Sequence, residues 1–165
     1  MTRSPTPDTA GVIAPPPLIA LAVVVFGLVL DWLLPAYLLA ILLPPVVRFG
    51  LGIALLAAGG ALGMAALTGF RTAGTPVEPW QPSRALVTGG IYRRLRNPMY
   101  VGGLMLLAGI GILLASDWML VLTVGAFVLI HFGVVRREER YLAAKFGAAY
   151  DAYCRDVSRY GWPGS

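Results

Sequence analysis

Two polar clusters hold nearly all the side chains that could do chemistry, and each abuts an apolar run. The first is "IYRRLRNPMYVGG", Ile91–Gly103, with three arginines, an Asn-Pro pair and two tyrosines. Pro98 suits the first turn of a helix, where a missing N–H costs nothing, and Asn97 suits the N-cap before it. A helix start in apolar surroundings offers free N–H groups to an anionic or polar ligand. Gly89, Gly90, Gly102 and Gly103 let backbone or ligand come close. A capped helix with snorkelling arginines would account for the same residues without a ligand. The second cluster is "HFGVVRREERYLAAKFGAAYDAY", His131–Tyr153. On a helix, His131, Val135, Glu138 and Leu142 share one face. A Glu138 carboxylate near a membrane interface needs a partner, such as a ribose diol or a cationic ligand. The alternative is that Glu138 and Glu139 pair with Arg136, Arg137 or Arg140 and solvate the helix end. His131, the only histidine, serves equally well as a structural or a functional group. With one histidine and one cysteine, Cys154, no zinc site is expected, and no P-loop, strand-borne GxGxxG or Ser-His-Asp spacing occurs.

The elements that must position these clusters are membrane helices. The 165 residues are 58% hydrophobic and 13% charged, against about 25% charged in a soluble domain. The uncharged stretch Phe49–Phe70 reaches roughly 33 Å, enough to cross a bilayer core of about 30 Å. The pattern predicts an all-α integral membrane protein with four transmembrane helices, at about 17–34, 49–70, 99–116 and 118–135. They form one domain over 17–165, behind a mobile N-terminal segment, 1–16, in which a cleaved signal peptide is not expected. "PAYLLAILLPP" is too short to cross and reads as a connector. Gly52, Gly59, Gly60 and Gly63 allow close approach of another helix, within one copy or between copies. Residues 136–165 form a cytoplasmic segment with a C-terminal amphipathic helix carrying Tyr141, Leu142, Phe146, Ala149, Tyr150 and Tyr153 on one face.

Only Asp117 separates the last two spans, so they form a tight hairpin that brings Asn97–Tyr100 beside His131–Glu139. With four spans, twelve of the thirteen basic residues fall on one side, Arg48 being the exception. The positive-inside rule then places both termini in the cytoplasm, and a prokaryotic cytoplasmic membrane is the expected location. The net charge of +5 lies beside the spans, so membrane lipids and not nucleic acid are the expected partners. The absence of an internal repeat speaks against an inverted-repeat transporter.

"GTPVEPWQPSRALVTGGIYRRLRNPMYVGG", followed after one hairpin by "REERYLAAKFGAAYDAYCRDVSRYGWP", resembles the isoprenylcysteine carboxyl methyltransferase family. It is also similar to the related phospholipid N-methyltransferases. The resemblance covers about Gly74–Pro163, and its paired motif is specific in order and separation. It implies a membrane enzyme that uses S-adenosylmethionine without a Rossmann domain, the cofactor lying at the cytoplasmic end of the last hairpin under the C-terminal segment. Matched position by position, the implied cofactor-binding residues are Arg84, Ala85, Leu86, Val87, Tyr92, Asn97, Pro98, Met99, Tyr100 and Glu138, with Glu139 the adjacent possibility. His131, Arg136 and Arg137 are candidates for orienting the substrate, and no catalytic residue is assigned.

Two positions depart from the family pattern. Asn97 stands where many members have histidine, and it cannot act as a base near neutral pH. Val134 stands near the position of the arginine that engages a prenylcysteine carboxylate. The implied acceptor is therefore left as a lipophilic carboxylate, amine or thiol entering from the bilayer. Two alternatives stand beside a methyltransferase: a nicotinamide-dependent membrane reductase of similar architecture, and a non-enzymatic scaffold or small transporter.

Overall fold

The computed structural model describes residues 9–162. Arg3, Pro163 and the first eight residues of the expected 1–16 segment lie outside that range. The described residues form helices and no strand: α1 (Pro16–Leu33), α2 (Leu38–Leu42), α3 (Pro45–Thr72), α4 (Pro98–Leu114), α5 (Asp117–Ile130), α6 (Arg136–Phe146) and α7 (Ala148–Asp156). A 3-10 turn, Gly90–Arg93, precedes α4, and a wider π turn, His131–Val135, joins α5 to α6. Prolines open α1, α3 and α4, where their fixed φ suits the first turn.

Three helices are long and apolar enough to cross a membrane: α1 with 18 residues, α3 with 28, and the continuous run Asp117–Phe146 with 30. The apolar helix α4 is shorter, at 17 residues. The four sequence-predicted spans each fall on one of these helices, with shifted ends. α3 runs past both expected limits and takes Arg48 and Arg71 into its end turns. The last helix does not stop at Val135. Residues 117–135 cover roughly 28 Å, a bilayer core's width, so the charged turns of α6 stand beyond the spanning stretch. The single amphipathic helix expected after Val135 is corrected to two helices, because Gly147 adopts φ 53° and breaks the run between α6 and α7.

Asp117 is not a separator either. α4 ends at Leu114, the C-cap Ala115 takes a left-handed φ of 54°, and Ser116 caps α5 by accepting from Met119 N at 3.1 Å. Asp117 opens α5 and turns its carboxylate onto the connector. Leu38 N donates to its Oδ2 and Leu39 N to its Oδ1, both at 3.0 Å, which fixes the start of α2. Trp118 Nε1 donates to Leu34 O at 2.7 Å. One end of the bundle is thereby closed, and the polar clusters gather at the other.

Glycines bring α3 and α4 together. A Cβ added to Gly59 would lie 2.8 Å from Gly102 O, and one on Gly109 would lie 3.0 Å from Gly52 O. Of the four glycines expected to admit a helix, Gly52 and Gly59 line this seam and Gly63 borders it with its backbone, whereas Gly60 faces open space. The core joins α1, α4 and α5 through Ile19, Val23, Leu107, Met119, Ala126 and Ile130. Outside it, Leu21, Phe26, Ile41, Val46, Ile53, Val121 and Val124 are exposed, an apolar surface suited to lipid.

Candidate active site

At the polar end, the loop after α3 folds back over the start of α4, and α6 and α7 close the opposite wall. Between them lies a cleft of about 860 Å3 including its open mouth. Phe70, Ala85, Leu86, Val87 and Tyr92 line one side, and Asn97, Met99 and Tyr100 come from the start of α4. Glu138, Glu139, Tyr141 and Leu142 come from α6, and Tyr150 and Tyr153 from α7.

Tyr100 Oη donates to Glu138 Oε1 at 2.8 Å, across a hairpin and 38 positions of sequence. Burial pushes the Glu138 carboxyl up to about 7; the Glu139 charge beside it pushes the same way, and the Tyr100 hydrogen bond opposes both. The neighbouring carboxylate is committed elsewhere. Arg159 grips Glu139 with two bonds, Nε to Oε1 and Nη2 to Oε2, each 2.7 Å, and Arg96 Nη1 stands 3.3 Å from Oε1. Both glutamates line the cleft, but among the described residues only Glu139 has an ion pair.

The sequence-predicted first wall divides. Ala85, Leu86 and Val87 line the cleft, whereas Arg84 lies outside it, its backbone N donating to Thr75 Oγ1 at 2.8 Å. Tyr92 is buried and meets Phe70 edge-on at 5.6 Å between centroids. Burial pushes its hydroxyl up, and its carbonyl accepts from Tyr153 Oη at 2.7 Å. Pro98 is fully buried behind the wall. Asn97 occupies the N-cap position, but the expected side-chain cap is corrected: Nδ2 donates to Arg159 O at 3.3 Å instead. Asn97 N reaches the same carbonyl at 3.3 Å, and Arg96 N donates to Ser158 O at 3.0 Å. The tail after α7 thus lies across the start of α4 and supplies the acceptor that Asn97 uses.

His131, Arg136 and Arg137 do not line the cleft. His131 Nδ1 meets Tyr160 Oη at 2.8 Å, with Phe127 and Phe132 around the ring. Arg136 lies over the Phe132 ring, and Arg137 Nη1 donates to Gly11 O at 2.8 Å. The π turn explains why His131 and Glu138 part company. In an unbroken α-helix Glu138 would stand roughly 80° from the inward Ile130 and nearly in line with His131; one extra residue per turn takes back about 100°. Glu138 therefore swings onto the face of Met119, Thr123, Ala126 and Ile130. The widened turn leaves Gly133 O to accept from Ile13 N at 3.2 Å, and the Ile13 side chain sits directly on Gly133. Gly11 and Ile13, within the expected 1–16 segment, make these contacts.

Four aromatic liners, Phe70, Tyr141, Tyr150 and Tyr153, were not among the sequence-predicted site residues. The tyrosines were legible only as one face of an amphipathic helix. The tail's Arg159 carried no signal at all. Among the described residues, no three His, Cys, Asp or Glu side chains come close enough to hold a metal ion.

Compared with known proteins, residues 47–149 match the model of the phospholipid methyltransferase family, a stretch running from the start of α3 into α7 and holding Tyr92, Tyr100 and Glu138. The chain is also similar to the cobalt-zinc-cadmium resistance protein CzcN of Cupriavidus metallidurans, 36% identical over 64 residues. That match takes in 39% of this chain and only 30% of the Cupriavidus protein. No solved structure matches.

Proposed function

The chain belongs to the phospholipid methyltransferase family, related to the isoprenylcysteine carboxyl methyltransferases, and from that premise we propose that it moves a methyl group from S-adenosylmethionine to a lipophilic acceptor. The observation that carries this reading is the Tyr100–Glu138 bond at 2.8 Å, inside a cleft rich in aromatic rings. The cleft's chemistry fits a cationic nucleoside. Phe70, Tyr92, Tyr150 and Tyr153 make its lining aromatic, a surround that suits an adenine. Glu138, without an ion pair among the described residues, accepts from a ribose diol or faces a sulfonium. Ala85, Leu86 and Val87 wall the opposite side, while Arg84 and Pro98 act from behind it. Glu139, Arg159 and Asn97 hold the tail and set the cleft's width. His131, Arg136 and Arg137 secure the π turn and the tail, at a distance from the reacting groups.

When bound, S-adenosylmethionine supplies a methyl group already activated on a sulfonium. The chain's work is to hold that group in line with a nucleophile and keep water out, and an apolar surround serves both. In this reading α4 is a fourth span, packed through its glycines on α3. The cleft faces the cytoplasm of a prokaryotic cell with both termini, where twelve of the thirteen basic residues gather. The acceptor arrives through the bilayer.

Calorimetry on the detergent-purified protein tests the reading. Saturable binding of S-adenosylmethionine and S-adenosylhomocysteine, lost in Glu138→Ala and Tyr100→Ala, is the expected result. Binding of NADPH in their place, or of none of the three, overturns it.

A further inference from the structure

Ahead of α1, residues 10–14 run along the π turn and reach the cleft. Ala10 lines the cleft together with Glu138. Gly11 takes a left-handed φ of 57°, which glycine adopts at little cost, and its carbonyl accepts from Arg137 Nη1 at 2.8 Å. Val12 and Ala14 pack on the core cluster that holds Val134 and Val135. Ile13 N donates to the carbonyl of buried Gly133 at 3.2 Å. The fit there is close. A Cβ on Gly133 would overlap Ile13 Cδ1 and lie 2.6 Å from Cγ1, yet 3.7 Å from the Ile13 Cβ. Pro15 and Pro16 then fix the exit into α1. The whole segment lies outside the family match at 47–149.

We infer that residues 10–13 are a positioning element of the cleft: they hold the π turn open and so keep Glu138 turned toward Tyr100. The inference rests on the methyltransferase reading in taking Glu138 as a cofactor contact, and goes beyond it in naming what places that contact. An α-helical register would pair Gly133 O with the amide four residues on, that of Arg137. Closing the turn in that way rotates everything after it by about 100° and carries Glu138 off the face it shares with Ile130. In the wide turn, Ile13 N satisfies the Gly133 carbonyl. Arg137, at the other end of the turn, is tied by its side chain to Gly11. The segment therefore opposes closure from both ends. A buried carbonyl without a donor is costly, so the wide turn depends on the chain lying beside it. The side chains of residues 10–13 carry no charge, and they act on the cleft through the Glu138 that they orient.

The test uses the full chain in phosphatidylcholine nanodiscs with two readouts: S-adenosylhomocysteine calorimetry, and carbodiimide labelling of Glu138 followed by peptide mass spectrometry. Gly133→Ala pushes Ile13 off the turn. It should weaken nucleoside binding by about three- to tenfold, the size of one backbone hydrogen bond, and speed Glu138 labelling by a similar factor. Ile13→Ala makes room for the new methyl and keeps the amide at that position. The double variant should therefore return both readouts to within about twofold of the parent, a recovery that a variant damaged only in its packing does not gain by losing a second side chain. Arg137→Gln releases Gly11 without adding bulk and should move both readouts in the direction of Gly133→Ala. In a Glu138→Gln background Gly133→Ala should cause no further loss of binding, because the segment acts through that side chain; a merely structural effect persists there. The inference is overturned if Gly133→Ala or Arg137→Gln matches the parent in both readouts, if the double variant stays as impaired as the single, or if the loss persists beside Glu138→Gln. A parent that binds no nucleoside sinks the methyltransferase reading. Glu138 labelling then judges the segment alone, and an unchanged rate in Gly133→Ala overturns the inference as well.

Discussion

Replacing Tyr100 with Phe removes a single hydroxyl and probes the pairing on which the site rests. That hydroxyl donates to Glu138 at 2.8 Å and favours the ionised carboxyl against the burial that pushes it up to about 7. A hydrogen bond to a charged group contributes about 1.5–3 kcal/mol. At about 1.4 kcal/mol per unit, its loss lifts Glu138 by a further one to two units. Near pH 7 about half of the parent's Glu138 is ionised, and about a tenth or less of the variant's. A cationic ligand needs the ionised form, so its affinity is full above the folded-state value and falls about tenfold per unit below it. Calorimetric affinity for S-adenosylmethionine, measured from pH 6 to 9, therefore rises between pH 6 and 8 in the parent and levels off above. The Tyr100→Phe curve moves to higher pH, about five- to fiftyfold weaker at pH 7 and within about twofold of the parent at pH 9. Glu138→Gln is weak and retains only the ligand's own titration, which serves as the baseline. A parent affinity that is flat from pH 6 to 8 after that baseline is subtracted, or a Tyr100→Phe curve lying on the parent's, refutes the reasoning.

Three further outcomes follow from the same coordinates. Because burial raises Glu138 above its unfolded value, the fold holds more protons than the unfolded chain between about pH 5 and 7 and loses stability as pH climbs through that window. Glu138→Gln, which has no charge to bury, should melt above the parent at pH 8 by the equivalent of about 1–3 kcal/mol and match it at pH 5; an identical difference at both pH values contradicts this. A double-mutant cycle of Arg159→Ala and Glu139→Ala should give a coupling of about 1–2 kcal/mol, because the pair is bidentate but only partly buried, and either single change should expose the chain after Asp156 to proteolysis. Gly59→Ala forces α3 from α4, since its Cβ would meet the Gly102 carbonyl at 2.8 Å, and should cost about 1–3 kcal/mol in a thermal melt; the adjacent Gly60→Ala faces open space and should be neutral or stabilising.

Much of this arrangement is legible in the chain itself, because hydropathy and helix starts are local properties. Uncharged runs mark where the long helices lie, and Pro98 marks where α4 begins, whatever surrounds them, whereas α3 opens at Pro45, inside the stretch expected to be a connector. The brevity of the turn at Ala115–Ser116 makes α4 and α5 antiparallel neighbours, so the approach of Tyr100 to Glu138 follows from connectivity. In sequence Glu138 is the preferred glutamate and Glu139 the adjacent possibility. The tail's Arg159 distinguishes them by taking Glu139, across 20 positions and a helix break.

The π turn had no equivalent signal. "HFGVV" reads as ordinary helix, and at 3.6 residues per turn it puts His131 on the face of Glu138. The extra residue persists because Ile13, more than a hundred positions away, takes the carbonyl that the wider turn leaves free. Asn97 is a good cap by type, yet it serves the tail, because that carbonyl is within reach only once the chain has folded. Composition and periodicity thus determined which segments are helical and which lie against lipid. Which side chains face the cleft was decided by long-range partners, whose hydrogen bonds shift a helix's phase or claim a carboxylate, and separation along the chain hides such contacts until the fold brings them together.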